Sequence, residues 1–201
     1  ALLLAPVLLS LPVAGEEVGK QTKTEEAKPA EKKPVNLKVG DKAPEFSGLD
    51  DKNKPWKSEK LKGKKILIVY FYPADMTPGC TKQACTYRDE LPKLKRKDVL
   101  VVGVSGDRVE NHQHFRDEYE LNFPLLADPN GAIAKAFGVR TSDGGKFTRE
   151  LDGREIIFDR GITAQRWTFV IDKDWKIAYV DRKVNPIKDT ANVLRVIKKL
   201  D

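Results

Sequence analysis

An apolar run that ends at a proline, followed seven residues later by a cysteine, constrains the fold of this 201-residue chain more than any other feature. Residues 65–72 are rich in β-branched and aromatic side chains, which is typical of a buried strand. Pro73 ends the run, and Thr77 and Pro78 fit the N-cap and the first position of a helix. The pattern therefore predicts a strand, a tight turn and a helix, with Cys80 in the first helical turn.

Cys80 and Cys85 are the only cysteines in the chain. A thiol in the first turn of a helix faces unpaired backbone N–H groups and the positive end of the helix dipole, and both favour the thiolate. Because the thiolate is the nucleophilic form, Cys80 is the candidate reactive residue. The alternative is a small buried cysteine that only fills the core.

The residues before Cys80 resemble the active-site motif Pro-x-x-x-Thr-x-x-Cys of the peroxiredoxins, with Pro73, Thr77 and Cys80 in its fixed positions. Cys85 follows at the spacing common in the bacterioferritin-comigratory, or peroxiredoxin Q, branch of that family. The resemblance extends over roughly residues 37–200 and is also carried by three shorter stretches, residues 39–46, 123–128 and 166–172.

This resemblance implies an α/β, thioredoxin-like fold with a central mixed β-sheet flanked by helices. It also implies a thiol peroxidase that reduces hydrogen peroxide and small organic hydroperoxides and needs no cofactor or metal. Cys80 would be the peroxidatic cysteine, Thr77 would hydrogen-bond the thiolate and the peroxide, and Pro73 would shield the pocket. Arg166 matches the family's active-site arginine, although Trp167 beside it is bulkier than expected.

The chemistry explains why such residues are needed. Ionising a free cysteine, whose pKa is about 8.5, fully at neutral pH gains only about tenfold to thirtyfold in rate. Donors placed where the leaving oxygen develops negative charge contribute about 10²–10³-fold each. The guanidinium of Arg166 and the hydroxyl of Thr77 suit that task; the alternative for Arg166 is a surface cation at a strand end.

By the same resemblance, Cys85 would be the resolving cysteine, which condenses with Cys80 sulfenic acid to form an intramolecular disulfide. In an intact helix the two Cα atoms lie roughly 8–9 Å apart, whereas a disulfide needs them within about 7 Å. We therefore expect the first turn and a half to unwind in each cycle, helped by Pro78 and Gly79. A thioredoxin-like dithiol would then reduce the bond. A passive buried thiol is the alternative for Cys85.

The first 37 residues differ in composition from the rest of the chain. Residues 1–15 carry no charge and resemble the apolar core of a secretory signal, although a short hydrophobic anchor is the alternative. The segment is too short for a stable membrane span. Residues 16–37, mostly Glu, Lys, Ala, Pro and Thr, predict a disordered tether. We expect export to a periplasmic or extracellular space, tethered to a membrane if residues 1–15 stay uncleaved, with residues 38–201 forming the folded domain.

The net charge of +7 comes from scattered lysines and arginines. No basic stripe interleaved with aromatic residues is present in the sequence, so binding to single-stranded nucleic acid is not expected. The expected partners are a hydroperoxide substrate and a thioredoxin-like reductant, and the protein is expected to be a monomer.

The remaining periodicity predicts alternating strands and helices, followed by a strand pair and a terminal helix. The stretch 146–158 contains an Asp-Gly hairpin signal, and we expect either a flap beside Arg166 or a plain surface loop. Arg88 either adds positive potential to the site or pairs with its acidic neighbours Asp89 and Glu90. The predicted elements are strands at 65–72, 98–104, 123–127, 166–172 and 176–181, and helices beginning at 78 and spanning 111–119, 132–137 and 190–200.

Two other classes of function use similar residues. An exported metal chaperone for copper on the same fold would use two cysteines and a histidine, and a non-catalytic redox sensor would be oxidised once without turnover. His112 and His114 form a His-x-His pair, but alternate residues of a helix point apart. The copper chaperones also use a shorter cysteine spacing than the one between Cys80 and Cys85.

Overall fold

The computed structural model of the chain describes residues 35–95 and 98–200. The signal-like segment 1–15 and all but the end of the predicted tether 16–37 therefore lie outside the described residues. Within the described part of the chain, no helix is long and apolar enough to cross a bilayer.

The strands are β1 (Ser47–Asp50), β2 (Pro55–Lys57), β3 (Ile66–Phe71), β4 (Val99–Ser105), β5 (Leu125–Ala127), β6 (Thr141–Leu151), β7 (Arg154–Ala164), β8 (Trp167–Ile171) and β9 (Ile177–Asp181). The helices are α1 (Pro78–Lys95), α2 (Val109–Glu118), α3 (Ala132–Phe137) and α4 (Asp189–Ile197).

The main sheet has the strand order β2-β1-β5-β4-β3-β8-β9. Its centre is parallel, because β4 pairs in parallel with both β3 and β5. The flanking strands β1, β8 and β9 pair antiparallel with their neighbours. The expected fold class, a central mixed sheet flanked by helices, is thus confirmed.

Side chains of β3 alternate between two layers of the core. Ile68 and Tyr70 pack on the face that also holds Cys80, while Val69 and Phe71 pack on the opposite face. Every residue of β3 is buried, and burying one such side chain contributes about 1.5–3 kcal/mol. The strand that leads into the cysteine turn is therefore held firmly from both sides.

Strands β6 and β7 form a separate hairpin whose turn, Asp152-Gly153, has positive φ at both residues (50° and 71°). Positive φ at both central residues is typical of a type I′ turn. The hairpin is longer than the predicted 146–158. It docks through its backbone: the N–H of Gly161 donates to the carbonyl of Gly106 at 3.0 Å. A Cβ at Gly106 would overlap the carbonyl oxygen of Ile162, so only glycine permits this approach.

The predicted strands and helices agree with the structure to within three residues at each end. Two strands on one side of the main sheet, the edge strand β2 and its neighbour β1, were not predicted from the sequence. They are short and half-exposed, with the sequences SGLD and PWK, and such segments carry little periodicity.

Candidate active site

The turn between β3 and α1 places Cys80 as the sequence predicts. Helix α1 begins at Pro78, and the carbonyl of Thr77 accepts the N–H of Thr81 at 2.8 Å, which makes Thr77 the N-cap residue. Cys80 lies in the first turn with a free thiol and is only 1% exposed. The reactive candidate is thus a shielded thiol at a helix N-terminus.

Arg166 lies directly before β8 and reaches the thiol from the neighbouring strand. Its Nη2 donates to the sulfur of Cys80 at 3.1 Å, and its Nη1 donates to Oε1 of Gln83 at 2.6 Å. Phe71 at the end of β3 pairs with Trp167 at the start of β8. This register brings the arginine to the end of the sheet where the cysteine turn begins.

The other two residues of the motif line the same turn. Thr77 donates its hydroxyl proton to the carbonyl of Ala74 at 3.0 Å, rather than to the sulfur of Cys80 as we expected. The carbonyl is nearby because the turn folds back on itself. A hydroxyl held this way presents its lone pairs to an incoming donor such as a peroxide O–H. Pro73 is half-buried in the same turn.

The turn itself is held in an unusual conformation. Met76 has a φ of 60°, a left-handed backbone that costs of order 1–3 kcal/mol for a residue other than glycine. Two contacts hold it: the N–H of Asp75 donates to Asp107 at 3.0 Å, and Arg149 donates to the carbonyl of Met76 at 3.0 Å. Because Arg149 belongs to β6, the hairpin does contact the cysteine turn, as the flap hypothesis requires.

A buried polar cluster lies beneath the turn. Asp75 accepts the hydroxyl of Tyr72 at 2.7 Å, and its second oxygen lies 2.7 Å from Nδ1 of His112. Burial disfavours the charged imidazole, but the facing Asp75 outweighs this and raises the pKa of His112 to about 8. Burial and the charge of Asp75 raise the pKa of Asp107 to about 6.

The two histidines considered as metal ligands point apart. His112 is fully buried against Asp75, whereas His114 is exposed and packs edge-on against Phe158. In the parts of the chain that the structure describes, no group of three or more His, Cys, Asp or Glu side chains could hold a metal ion.

The position of Cys85 sets the geometry of any resolving step. It lies in the same uninterrupted helix as Cys80 and is partly exposed, with a free thiol. Ideal helix geometry puts the two Cα atoms about 8–9 Å apart. Burial raises the pKa of the Cys85 thiol. A disulfide between the two residues therefore requires α1 to open at its start.

Arg88 does not serve the Cys80 site. Its guanidinium donates to the carbonyl of Tyr119 at 2.8 Å and to Asp89 at 2.9 Å, so it ties α1 to the end of α2. Trp167 also lies away from the thiol, since it packs on the opposite face of the sheet. There the guanidinium of Arg182 lies 4.9 Å from the centre of the indole ring. The bulk of Trp167 therefore leaves the site unobstructed.

Two residues of the site were missed by the sequence analysis. Gln83 is fully buried and bridges Arg166 to Asp189, donating to Oδ2 of Asp189 at 2.6 Å. Gln83 lies three residues after Cys80, so helical spacing could have placed it on the same face. Asp189 begins α4, 106 residues further along the chain, and no local pattern connects it to the site.

Together these groups can support nucleophilic attack by sulfur. A guanidinium is permanently charged and offers several donors in a rigid plane. With one donor on the sulfur of Cys80 and another on Gln83, it is fixed beside the sulfur that would attack a bound peroxide. Such preorganised donors lower the barrier without having to reorient during the reaction.

Comparison with known proteins gives consistent matches. The AhpC/TSA family matches residues 39–180 of the chain. Peroxiredoxin Bcp of Bacillus subtilis is 36% identical over 166 residues, which cover 83% of this chain and 98% of the relative. The chloroplastic peroxiredoxin Q of Sedum lineare is 37% identical over 175 residues, which cover 86% of this chain and 85% of the relative.

Solved structures agree with these sequence matches. Peroxidoxin BcpB from Mycobacterium tuberculosis superposes with a TM-score of 0.69 at 30% identity, covering 83% of this chain and 99% of that one. The bacterioferritin comigratory protein of Xanthomonas campestris, for which alkyl peroxide reduction activity is described, superposes with a TM-score of 0.63 at 25% identity. That match covers 77% of this chain and 90% of the neighbour.

Proposed function

This chain belongs to the AhpC/TSA family, and we propose that its peroxidase chemistry runs through Cys80 as the peroxidatic cysteine and Cys85 as the resolving cysteine. It is a peroxiredoxin, an oxidoreductase that reduces peroxides with a thiol. The single observation that carries the assignment of Cys80 is the 3.1 Å contact between its sulfur and the guanidinium of Arg166.

In the first step the thiolate of Cys80 attacks one oxygen of the hydroperoxide. A sulfur–oxygen bond forms as the oxygen–oxygen bond breaks, so the sulfur is oxidised to a sulfenic acid and the peroxide is reduced. The other oxygen leaves as an alkoxide or hydroxide and takes up a proton to become an alcohol or water. Arg166 stabilises the developing charge, and the hydroxyl oxygen of Thr77 accepts a hydrogen bond from the O–H of the attacked oxygen, which keeps its proton in the sulfenic acid.

In the second step the thiolate of Cys85 attacks the sulfur of the Cys80 sulfenic acid. A disulfide forms and the sulfenic oxygen leaves as hydroxide, which becomes water. This step needs α1 to unwind over its first turn and a half, since the helix keeps the two Cα atoms too far apart. A thioredoxin-like dithiol then attacks the disulfide and returns both cysteines to thiols.

Hydrogen peroxide and small organic hydroperoxides are the proposed substrates. The alkyl peroxide reduction activity of the Xanthomonas campestris neighbour supports the organic class. Each group of the proposed site comes from one chain, so a monomer would be competent. Export remains part of the proposal and rests on the uncharged residues 1–15.

A coupled assay tests the proposal. The purified protein is mixed with hydrogen peroxide or cumene hydroperoxide, and thioredoxin, thioredoxin reductase and NADPH are added in turn. NADPH oxidation that needs all components, and that Cys80→Ser abolishes, is expected. Turnover that persists in Cys80→Ser would contradict the assignment. For export, fractionation of cells that make the chain with residues 1–15 intact should place it outside the cytoplasm, and retention in the cytoplasm would contradict it.

A further inference from the structure

Three donors from two structural elements converge on one oxygen of Asp189. Oδ2 accepts the side-chain amide of Gln83 at 2.6 Å, the hydroxyl of Tyr87 at 2.8 Å and the hydroxyl of Thr168 at 3.0 Å. Asp189 is fully buried, and a buried carboxylate is costly unless it is well satisfied. The three contacts at Oδ2 offset part of that cost.

The partners of Asp189 belong to the two elements that carry the reactive pair. Gln83 and Tyr87 lie on α1, three and seven residues after Cys80, and Thr168 lies on β8, two residues after Arg166. One carboxylate thus links the helix of the thiol to the strand of the guanidinium. Its position is fixed relative to both reacting groups.

The hydrogen-bonding capacity of each group specifies the direction of the chain of contacts. An ionised carboxylate only accepts and a guanidinium only donates, whereas a glutamine amide has one end of each kind. With its NH₂ on Asp189, Gln83 must turn its carbonyl oxygen toward Arg166, which donates to it at 2.6 Å. Without an acceptor at Asp189, the amide could rotate and point two donors at the guanidinium.

The three donors bind one oxygen of Asp189 and leave the other without a partner. Among the described residues, Oδ1 is buried and accepts no hydrogen bond. Burial raises the pKa of this carboxyl, and the hydrogen bonds from Tyr87, Gln83 and Thr168 offset only part of that rise. The link from Asp189 through Gln83 to Arg166 therefore rests on the geometry at Oδ2.

We propose that Asp189 is a positioning residue for peroxide reduction, which acts through Gln83 to hold the guanidinium of Arg166 against Cys80. The inference rests on the proposed peroxidase function. It assigns Asp189 no contact with the peroxide. Instead, Asp189 sets the orientation of the Arg166 guanidinium and restricts its motion. A displacement of about 1 Å in such a group can lower the rate about a hundredfold.

The test compares two reactions of Cys80 in a Cys85→Ser background, without any reductant. The rate with hydrogen peroxide depends on a donor at the leaving oxygen, whereas alkylation by iodoacetamide releases iodide and needs no such donor. In Asp189→Ala we expect the peroxide rate to fall about tenfold to a hundredfold and the alkylation rate to fall no more than about threefold. A parallel fall in both rates would show general loosening of the site and overturn the proposal.

Two further variants keep the test decisive if Asp189→Ala folds poorly. Asp189→Asn can place its carbonyl oxygen where Oδ2 lies, so it should recover most of the peroxide rate. Gln83→Met removes the link but keeps its length, and combining it with Asp189→Asn or Asp189→Ala should add little further loss, because linked residues are not additive. Additive losses would mean that Asp189 acts independently of Gln83 and would overturn the proposal.

A matched control is Asp128→Asn, which changes another buried carboxylate. Asp128 accepts the backbone N–H groups of Ile133 and Ala134 at the start of α3, on the opposite face of the sheet. Its peroxide rate should equal that of the parent protein. If the parent itself reacts with peroxide no faster than a free thiol, the peroxidase proposal fails; if the parent is fast and Asp189→Ala is equally fast, only the role of Asp189 fails.

Discussion

Arg166 donates to the sulfur of Cys80 at 3.1 Å across 86 residues of sequence. The contact joins the residue before β8 to the first turn of α1, and the antiparallel pairing of β8 with β3 makes it possible. A permanently charged group therefore lies beside a thiol that is almost fully buried. This pair is the centre of the proposed chemistry.

Replacing the arginine by lysine tests that pair. Lysine keeps the charge but cannot hold Cys80 and Gln83 together with a rigid fork. We expect Arg166→Lys to lower the second-order rate with hydrogen peroxide by about 10²–10³-fold, measured by stopped-flow kinetics. Arg182→Lys is the control, since Arg182 stacks on Trp167 on the other face of the sheet. An equal loss in both variants would contradict a specific role for Arg166.

Stiffening the start of α1 should separate the two chemical steps. A Cβ at Gly79 would meet Nη2 of Arg166 at 3.5 Å and Pro186 at 3.9 Å, which are ordinary contacts. Alanine is favoured over glycine in a helix by about 0.5–1 kcal/mol, so unwinding should become about twofold to fivefold rarer. Gly79→Ala should slow disulfide formation by that factor and leave peroxide reduction unchanged.

Trapping with dimedone, which labels the Cys80 sulfenic acid, measures this delay. The sulfenic acid should survive longer in Gly79→Ala, so dimedone should label more of the protein and excess peroxide should convert more of it to sulfinic acid. Disulfide formation at the parent rate would show that the helix does not need to open.

The buried pair of Asp75 and His112 should make stability depend on pH. The pKa of His112 is raised to about 8 in the folded protein from about 6.5 in the unfolded chain. Its contribution of about 2 kcal/mol is therefore complete below pH 6.5 and is lost as the pH rises through 8. Urea unfolding at pH 6 and pH 9 should show this difference.

Two variants assign the pH effect. His112→Asn should reduce the difference in the free energy of unfolding between pH 6 and pH 9, whereas the exposed His114→Asn should preserve it. The pKa of Asp107 is also raised in the folded protein, to about 6. Both variants should therefore still lose some stability as the pH rises from 4 to 6. An unchanged difference in His112→Asn would contradict the pairing with Asp75.

The sequence was sufficient to predict the turn and its cysteine. The apolar run of β3, the helix start at Pro78 and the first-turn position of Cys80 all follow from local patterns, and the wider family resemblance added Arg166. Local propensity could not predict the left-handed backbone of Met76, because contacts from Asp107 and Arg149 hold it from distant parts of the chain.

The second layer of the site could not be predicted either. Contacts such as those of Asp189 with Gln83 and Thr168 depend on how α4 packs against the sheet, and polar residues at a helix start usually face solvent. The direction of the Thr77 hydroxyl likewise depends on the course of the turn, which places the carbonyl of Ala74 beside it.

The central claim is that Cys80 reacts with peroxide to form a sulfenic acid and that Cys85 then forms a disulfide with Cys80. The most direct measurement mixes the fully reduced protein with one equivalent of hydrogen peroxide and follows free thiols and intact mass. We predict rapid loss of both thiols with a mass two hydrogens lower, no such reaction in Cys80→Ser, and a one-oxygen gain in Cys85→Ser. Slow oxidation at the rate of an ordinary thiol, similar in both variants, would contradict the account.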